Sequence, residues 1–315
     1  MNPSGPLAIA RDVKLSTYNT WQVGGSAEFF CLPRTVDEVV QAQKWAEAQH
    51  CPVHILSGGS NVLVSDEGLS GLTICLKNLA GTEIAESDGR LRITALAGTG
   101  KSELLKIFLK HKLAPALFLA GIPGDTGGGV VMNAGVAESF KPREFTEITE
   151  WFEVLKPDGS IRRYEHKDVR WNYRHSDGWQ PGIIVRVGIG WPNEPDASIL
   201  TQVRDANKIR LQKQPLDMPS CGSVFQNPVG HKAAQLIDQS GLKGFQVGQA
   251  QVSLKHANFI VNLGGAKARD IWSVIQNVRR VVKEKKQVEL RTEVVLMGAW
   301  SDPTLNLREV KKDEH

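Results

Sequence analysis

Clustered cysteine is the first thing this 315-residue sequence lacks. Its four cysteines stand at 31, 51, 75 and 221 with no CxxC pair, which excludes a zinc-ribbon site and a disulfide scaffold. No metal site is expected. Unclustered thiols in a chain this long read as free, in a reducing compartment. Long apolar runs are missing too. The longest nearly apolar stretch, Ala114 to Ile122, holds Pro115 and Gly121 and is too short to span a bilayer. No apolar stretch follows a basic start in Met1 to Leu15, so no secretory signal is expected, and the expected location is the cytoplasm. No block of five or six like charges occurs, and 38 Lys+Arg against 34 Asp+Glu leave a net charge of +4. Nothing therefore calls for nucleic acid or a membrane surface.

What is there resembles an average soluble domain: 41% apolar and 23% charged residues, enough for a real core. At ~150 residues per domain the length predicts about two domains. Thr35-Val-Asp-Glu38 reads as a capping box opening a helix to about His50, with Val36, Val39, Val40 and Trp45 inward. Short strands are predicted over Val53 to Leu56, Val62 to Val64 and Leu72 to Leu76. Leu91, Ile93 and Ala95 alternate as a strand before a helix from about Ser102 to Lys112. Glu150 to Leu155 and Ile161 to Tyr164 flank a Pro-Asp-Gly turn as a hairpin. Ile183 to Trp191 is a further strand, Pro192-Asn-Glu-Pro195 reads as a linker, and a charged helix follows from about Ala197 to Gln212. Ile271, Val274, Ile275, Val278, Val281 and Val282 form one stripe on a helix from Ala268 to Lys285. Val288, Leu290, Val294 and Leu296 then alternate with Glu289, Arg291 and Glu293 as a strand. The class is α+β, without the regular βαβ alternation of a doubly wound sheet.

Glycine is concentrated where chemistry could sit. Ser57-Gly-Gly-Ser-Asn61 follows a strand directly, and Gly121-Ile-Pro-Gly-Asp-Thr-Gly-Gly-Gly129 runs on to Met132-Asn-Ala-Gly135. Without a Cβ, such backbone can bring its N–H groups around a phosphate. Ser60, Asn61 and Asn133 could add side-chain donors. A single loop of this kind is most simply a tight turn; two of them favour a nucleotide-like ligand carrying a pyrophosphate. The GxGxxG fingerprint is absent, which argues against an ordinary Rossmann site. Ala95-Leu-Ala-Gly-Thr-Gly-Lys101-Ser102 imitates a P-loop between strand and helix, but Ala95 stands where that pattern needs glycine. A structural turn is the better reading there.

Three single residues stand out. Ser223 follows Gly222 in a segment from Arg210 to Pro228 that has little helical or strand periodicity; no GxSxG elbow surrounds it, so a hydrolase triad is unsupported. Arg174 would by default be a solvated cation, and Glu293 either faces water or points into a cleft. His256 is open between a core histidine and a ligand contact.

Taken in order, these segments resemble the bacterial UDP-N-acetylenolpyruvoylglucosamine reductase family of peptidoglycan precursor synthesis. The likeness runs from Asn19-Thr-Trp-Gln-Val-Gly-Gly25 to Glu293-Val-Val-Leu-Met-Gly298. It implies a vanillyl-alcohol-oxidase-type FAD-binding fold of two α+β subdomains, at 1–79 and 80–195, with a C-terminal α+β substrate-binding domain at 200–295. The tail 296–315 is a candidate to return to the first subdomain. The FAD contacts it implies are Gly58, Gly59, Ser60 and Asn61 in the first loop, and Gly121, Ile122, Pro123, Gly124, Gly127, Gly128, Asn133, Ala134 and Gly135 in the second, together with Arg210. Tyr173, Lys213, Asn227 and His256 match substrate or nicotinamide-nucleotide positions.

The implied reaction passes a hydride from NADPH to FAD N5 and on to C3 of the enolpyruvyl group of UDP-N-acetylglucosamine enolpyruvate. A proton is added at C2 to give UDP-N-acetylmuramate. The family's catalytic positions fall on Ser223 as proton donor, Arg174, and Glu293, the last protonated when substrate is bound. The chain departs from the family at Asp125-Thr-Gly-Gly, where Thr-Val-Gly-Gly is usual, and at Asn133-Ala-Gly-Val-Ala-Glu138, where Ala-Tyr-Gly is commoner. The short stretch between Arg174 and Arg210 leaves no room for a tyrosine-bearing substrate loop and places it in the shorter branch. A monomer without an obligatory protein partner is expected. An oxidase that shares the FAD fold and uses O₂, and a nucleotide-binding module without redox chemistry, are the alternatives.

Overall fold

The structure is a computed structural model and describes residues 7–136 and 141–300. The chain divides into two compact units. The first comprises Met1–Val13, Glu28–Ser60 and Gly71–Asp217; the second comprises Lys14–Ala27, Asn61–Ser70 and Met218–His315.

The first unit is built on an antiparallel five-stranded sheet in the order Thr82–Ser87, Arg90–Leu96, Ile183–Pro192, Thr149–Leu155, Ile161–Glu165. Leu91, Ile93 and Ala95 alternate into the core as their spacing predicts. Ile183–Pro192 is central, with glycines at 188 and 190 where Trp151 and Glu150 of the neighbouring strand lie across it. A second sheet, in the order Ala10–Lys14, Ser26–Cys31, Leu69–Cys75, Val53–Leu56, has most of its residues in this unit. The helix Val36–Ala48 opens on a Thr35 N-cap, whose hydroxyl accepts from Glu38 N at 3.2 Å; the return bond of the expected capping box goes one residue further out, Glu38 Oε2 accepting from Arg34 N at 2.6 Å in place of Thr35 N. Helices Lys101–Lys110 and Ala116–Leu119 bury Leu104, Phe108 and Phe118 in one core with Phe145 and Phe152.

Pro192 to Pro195 does not part the two units. Asn193 N donates to Gly89 O and Asp196 N to Lys112 O, and the helix Ile199–Lys213 buries Ile199 and Val203 in the first core. The boundary falls after Asp217. Proline read as a linker because it ends regular structure, but two apolar residues further on decide which core the chain joins.

In the second unit the helix Ala268–Lys286 lays its predicted stripe onto the sheet Gln246–Val247, Ala250–Val252, Ile260–Asn262. Its first two N–H groups, of Ala268 and Arg269, donate to the Asp66 carboxylate at 2.8 and 3.0 Å, a cap no local pattern contains. Buried Trp21 donates its indole N–H to Ile260 O at 2.7 Å. The strand expected over Val288 to Leu296 is a correction. Only Val295–Met297 is a strand, parallel to Val62–Val64; Leu290 and Val294 are buried, but their segment has one isolated bridge, Phe225 to Thr292. Period-two burial survived because it needs only an extended backbone on a core. A ladder also needs a partner strand. Of the tail at 296–315, residues 301–315 lie outside the described residues.

Candidate functional site

In the first unit the two glycine loops meet. Gly124 has φ +91°, a left-handed value only glycine adopts at little cost, and a Cβ placed there would stand 2.5 Å from Ser60 Oγ and 3.6 Å from Lys101 Nζ. Facing it, a Cβ on Gly58 would lie 3.0 Å from Gly124 Cα and 3.3 Å from the Asp125 carboxylate. Gly59 is left-handed as well, at φ +60°. Among the described residues, no protein acceptor takes the backbone N–H of Gly58, Gly59, Ser60 or Gly124. This is a patch of closely approaching glycine backbone with donors unspent, which fits an anionic group such as a diphosphate.

The other glycines of the second loop serve packing. A Cβ on Gly129 would enter the Phe145 ring at 2.4 Å, and one on Gly127 would meet Ala97 Cβ at 2.9 Å. At Gly121 it would meet Val136 Cγ1 at 2.8 Å, and at Gly135 Arg143 O at 2.3 Å. Only Gly128 has nothing within 4 Å. Ile122 and Pro123 carry the loop between them, and Pro123 O accepts from Lys101 Nζ at 2.8 Å.

Asp125, the residue that departs from the family, is turned aside. Its carboxylate accepts from Ser57 Oγ at 2.7 Å; burial raises its pKa, and the Ser57 bond, Lys101 and Lys77 oppose that rise. Asn133 is spent inside the fold: Nδ2 donates to Glu144 Oε2 and Asn172 O, each at 3.0 Å, and Oδ1 accepts from Thr146 N at 2.9 Å. Its side chain has no donor left for a ligand. Ala134 N is likewise committed to Gly129 O.

Tyr173 and Arg174 form the two-residue turn of a hairpin, Arg170–Asn172 with His175–Asp177. Arg174 sits at φ +58°, uncommon for a side-chain-bearing residue, and is 8% exposed. Its Nη1 donates to Glu144 Oε1 at 3.1 Å and Nη2 to Gly135 O at 3.0 Å, while its guanidinium carbon lies 4.5 Å from the exposed Tyr173 ring. Arg210 donates to Ala120 O from the helix Ile199–Lys213, which ends on exposed Lys213.

In the second unit Gly222 at φ +83° presents exposed Ser223. The next residues are clasped by Asn258. Val224 N donates to Asn258 O at 2.9 Å, Phe225 N to its Oδ1 at 3.0 Å, and its Nδ2 returns to Phe225 O at 2.8 Å. On the other side Glu293 N donates to Val224 O at 2.8 Å, and Asn61 Nδ2 donates to Glu293 O at 3.0 Å. Ser223, Glu293 and Asn61, far apart in sequence, are thus built onto one framework. Burial pushes the Cys221 thiol well up, and the Glu293 carboxylate adds to that. His256 Nδ1 accepts from Asn258 N at 3.3 Å, and burial with Lys243 nearby lowers its pKa, which favours the neutral ring. Asn227 Oδ1 accepts from Ala233 N at 2.9 Å, at the start of the helix Ala233–Gln239.

Sequence reasoning missed Glu144 and Asn258, which show no local motif. It passed over Lys101, whose position between strand and helix was the available signal. Among the described residues no group of His, Cys, Asp or Glu could hold a metal ion.

Residues 27–165 match the family model of an FAD binding domain, and residues 214–297 match that of the UDP-N-acetylenolpyruvoylglucosamine reductase C-terminal domain. The chain is an FAD-dependent oxidoreductase of α+β fold. The reductase of that name from Synechococcus sp. (strain RCC307) is 37% identical over 304 residues, covering 94% of this chain and 96% of the relative. The one from Lactobacillus helveticus is 37% identical over 293 residues, covering 93% and 96%. The crystal structure of the reductase from Thermus caldophilus superposes with a TM-score of 0.75 at 32% identity, covering 93% of this chain and all of that one. This chain belongs to the UDP-N-acetylenolpyruvoylglucosamine reductase family.

Proposed function

We propose that this chain reduces UDP-N-acetylglucosamine enolpyruvate to UDP-N-acetylmuramate with NADPH, in the cytoplasm, as a step of peptidoglycan precursor synthesis. The observation that carries this reading is the cradle of unspent backbone donors at Gly58–Ser60 and Gly124, in a chain of this family. FAD, when bound, would supply the transfer of a hydride from NADPH to the enolpyruvyl carbon, and Gly58, Gly59, Ser60 and Gly124 would hold its diphosphate. In this reading residues 1–79 and 80–195 bind FAD and 200–295 bind the sugar nucleotide, with Tyr173, Lys213, Asn227 and His256 as contacts.

The chain's own residues do three things. Hydride addition to a double bond conjugated to a carboxylate builds negative charge on the carboxylate oxygens, which positive charge and hydrogen-bond donors stabilise. Arg174 brings a planar fork of donors already fixed by Glu144 and Gly135 O. Glu293, protonated, donates a hydrogen bond to the same group. Ser223 gives its hydroxyl proton to C2; a serine is a weak acid, but a carbanionic carbon is a strong base.

Anaerobic stopped-flow absorbance tests this. NADPH should bleach the yellow protein, and the enolpyruvyl sugar nucleotide should restore its colour without oxygen. Colour that returns only with O₂ would make the chain an oxidase, and protein purified without flavin would leave a nucleotide-binding module.

A further inference from the structure

Lys101 is a buried ammonium, 5% exposed, at the first position of the helix Lys101–Lys110. Its Nζ donates to Pro123 O at 2.8 Å and stands 5.5 Å from the centre of the Phe145 ring. Among the described residues no carboxylate comes within 4.0 Å of it; the charge nearest in effect is Asp125, which is engaged by Ser57. One carbonyl and a ring face leave two of the three ammonium hydrogens without an acceptor and the charge without a directly paired carboxylate. A buried cation in that position is costly unless something anionic completes it. Burial holds its pKa down at about 8, with Asp125 opposing that shift and Arg174 adding to it.

The ammonium lies beside the glycine cradle: a Cβ placed on Gly124 would stand 2.5 Å from Ser60 Oγ and 3.6 Å from Lys101 Nζ. We infer that Lys101 is a binding residue of this chain for the diphosphate of its dinucleotide cofactor, supplying the positive charge that the backbone donors of the two glycine loops lack. The inference rests on reading Gly58–Ser60 and Gly124 as the diphosphate cradle. It also accounts for the strand–Gly–Lys–Ser sequence that imitates a P-loop: the phosphate-binding pattern is broken, yet its lysine reaches phosphate from beneath a different loop. The lysine's bond to Pro123 O then has a second use, since it keeps the ammonium and the loop in fixed register whether or not the anion is there.

FAD titrated into apoprotein, followed by calorimetry and flavin fluorescence, tests the assignment. Lys101→Met and Lys101→Gln should each weaken FAD binding at pH 7 by at least about 10-fold, the scale on which a charge-assisted hydrogen bond matters. The melting temperature of the apoprotein should not fall. The wild type alone supplies an independent readout. At pH 8.5, binding measured in two buffers of different ionisation enthalpy should show proton uptake, because the anion returns the ammonium to its charged form. The charged groups around Lys101 are Asp125 and Arg174, with Lys77 beside Asp125 and Glu144 on Arg174, and none of these is altered by the substitutions. Unchanged FAD affinity with a lowered melting temperature would make Lys101 a structural tie and overturn the inference, as would wild-type binding without proton uptake. Gly124→Ala separates the two failures. If it binds FAD as the wild type does, the cradle itself is misread. If it loses FAD while the Lys101 variants keep it, only the lysine's role is lost.

Discussion

Arg174 is held by Glu144: guanidinium Nη1 lies 3.1 Å from Oε1, and the other oxygen of the same carboxylate accepts from Asn133 at 3.0 Å. One buried-side glutamate therefore ties the proposed substrate-facing arginine to the end of the second glycine loop. Glu144→Gln replaces the ion pair with a neutral hydrogen bond of nearly the same shape. It should slow sugar-dependent reoxidation of the flavin by about 10-fold, the scale of a weakened charge-assisted bond, and leave NADPH bleaching alone. Equal slowing of both half-reactions would show that Glu144 holds the fold and not the arginine.

Arg174→Lys keeps the charge and loses the fork. A point charge cannot donate to Glu144, Gly135 O and a substrate carboxylate in one plane. Reoxidation by the enolpyruvyl sugar nucleotide should slow by about 10-fold or more, measured apart from the NADPH step. A rate equal to the wild type's would remove the planar fork from the mechanism.

Ser223→Ala should leave NADPH bleaching intact and slow sugar-dependent reoxidation by ~10²-fold or more, the contribution expected of a positioned acid. Gly222 and the Asn258 clasp hold the backbone of this segment without the hydroxyl, so folding should be unaffected. A normal second half-reaction would take the proton away from Ser223.

Gly129→Ala tests packing without touching chemistry. The new methyl would enter the Phe145 ring, itself fully buried, so the variant should lose about 1–3 kcal/mol of stability, read by denaturant unfolding. Gly128→Ala, with open space, should cost far less. Similar losses at both would mean that the helix Thr126–Val131, and not the ring contact, sets the requirement.

The thiols give a pH prediction. Burial pushes Cys31 up to about 12 and Cys75 to about 11, and Cys221 rises for the same reason; Cys51 is half-buried. A thiol whose folded pKa is raised stays protonated after its unfolded counterpart ionises, near pH 9, so these groups lower stability as pH climbs past that value. At pH 8 a thiol reagent should label Cys51 alone in the native protein and all four cysteines in guanidinium. Rapid native labelling of Cys31 or Cys75 would mean their strands open readily.

Much of the fold was legible because periodicity and capping are local. The stripe from Ile271 to Val282 and the Thr35 cap on Glu38 N appear where their spacing puts them. The strand over Val288 to Leu296 did not form, since apolar alternation states which side chains are buried and is silent on whether a neighbour offers hydrogen bonds. Of the proposed site, Ser223, Arg174 and Glu293 were singled out by motif. Glu144 and Asn258 could not, as their roles come from partners 30 and 33 residues away.

By itself the amino-acid sequence determined the family, the α+β class and the two glycine loops, because these depend on residue types at fixed local spacing. Tertiary structure alone decided which glycines frame the anion cradle and which make room for Phe145 or Ala97, and it alone turned Asp125 toward Ser57. It also tied the buried Lys101 ammonium to Pro123 O in the second loop, with no carboxylate within 4.0 Å among the described residues. Loops that are separate along the chain become one electrostatic environment only when the sheet and helices between them are packed, and that environment is a property of distance in space.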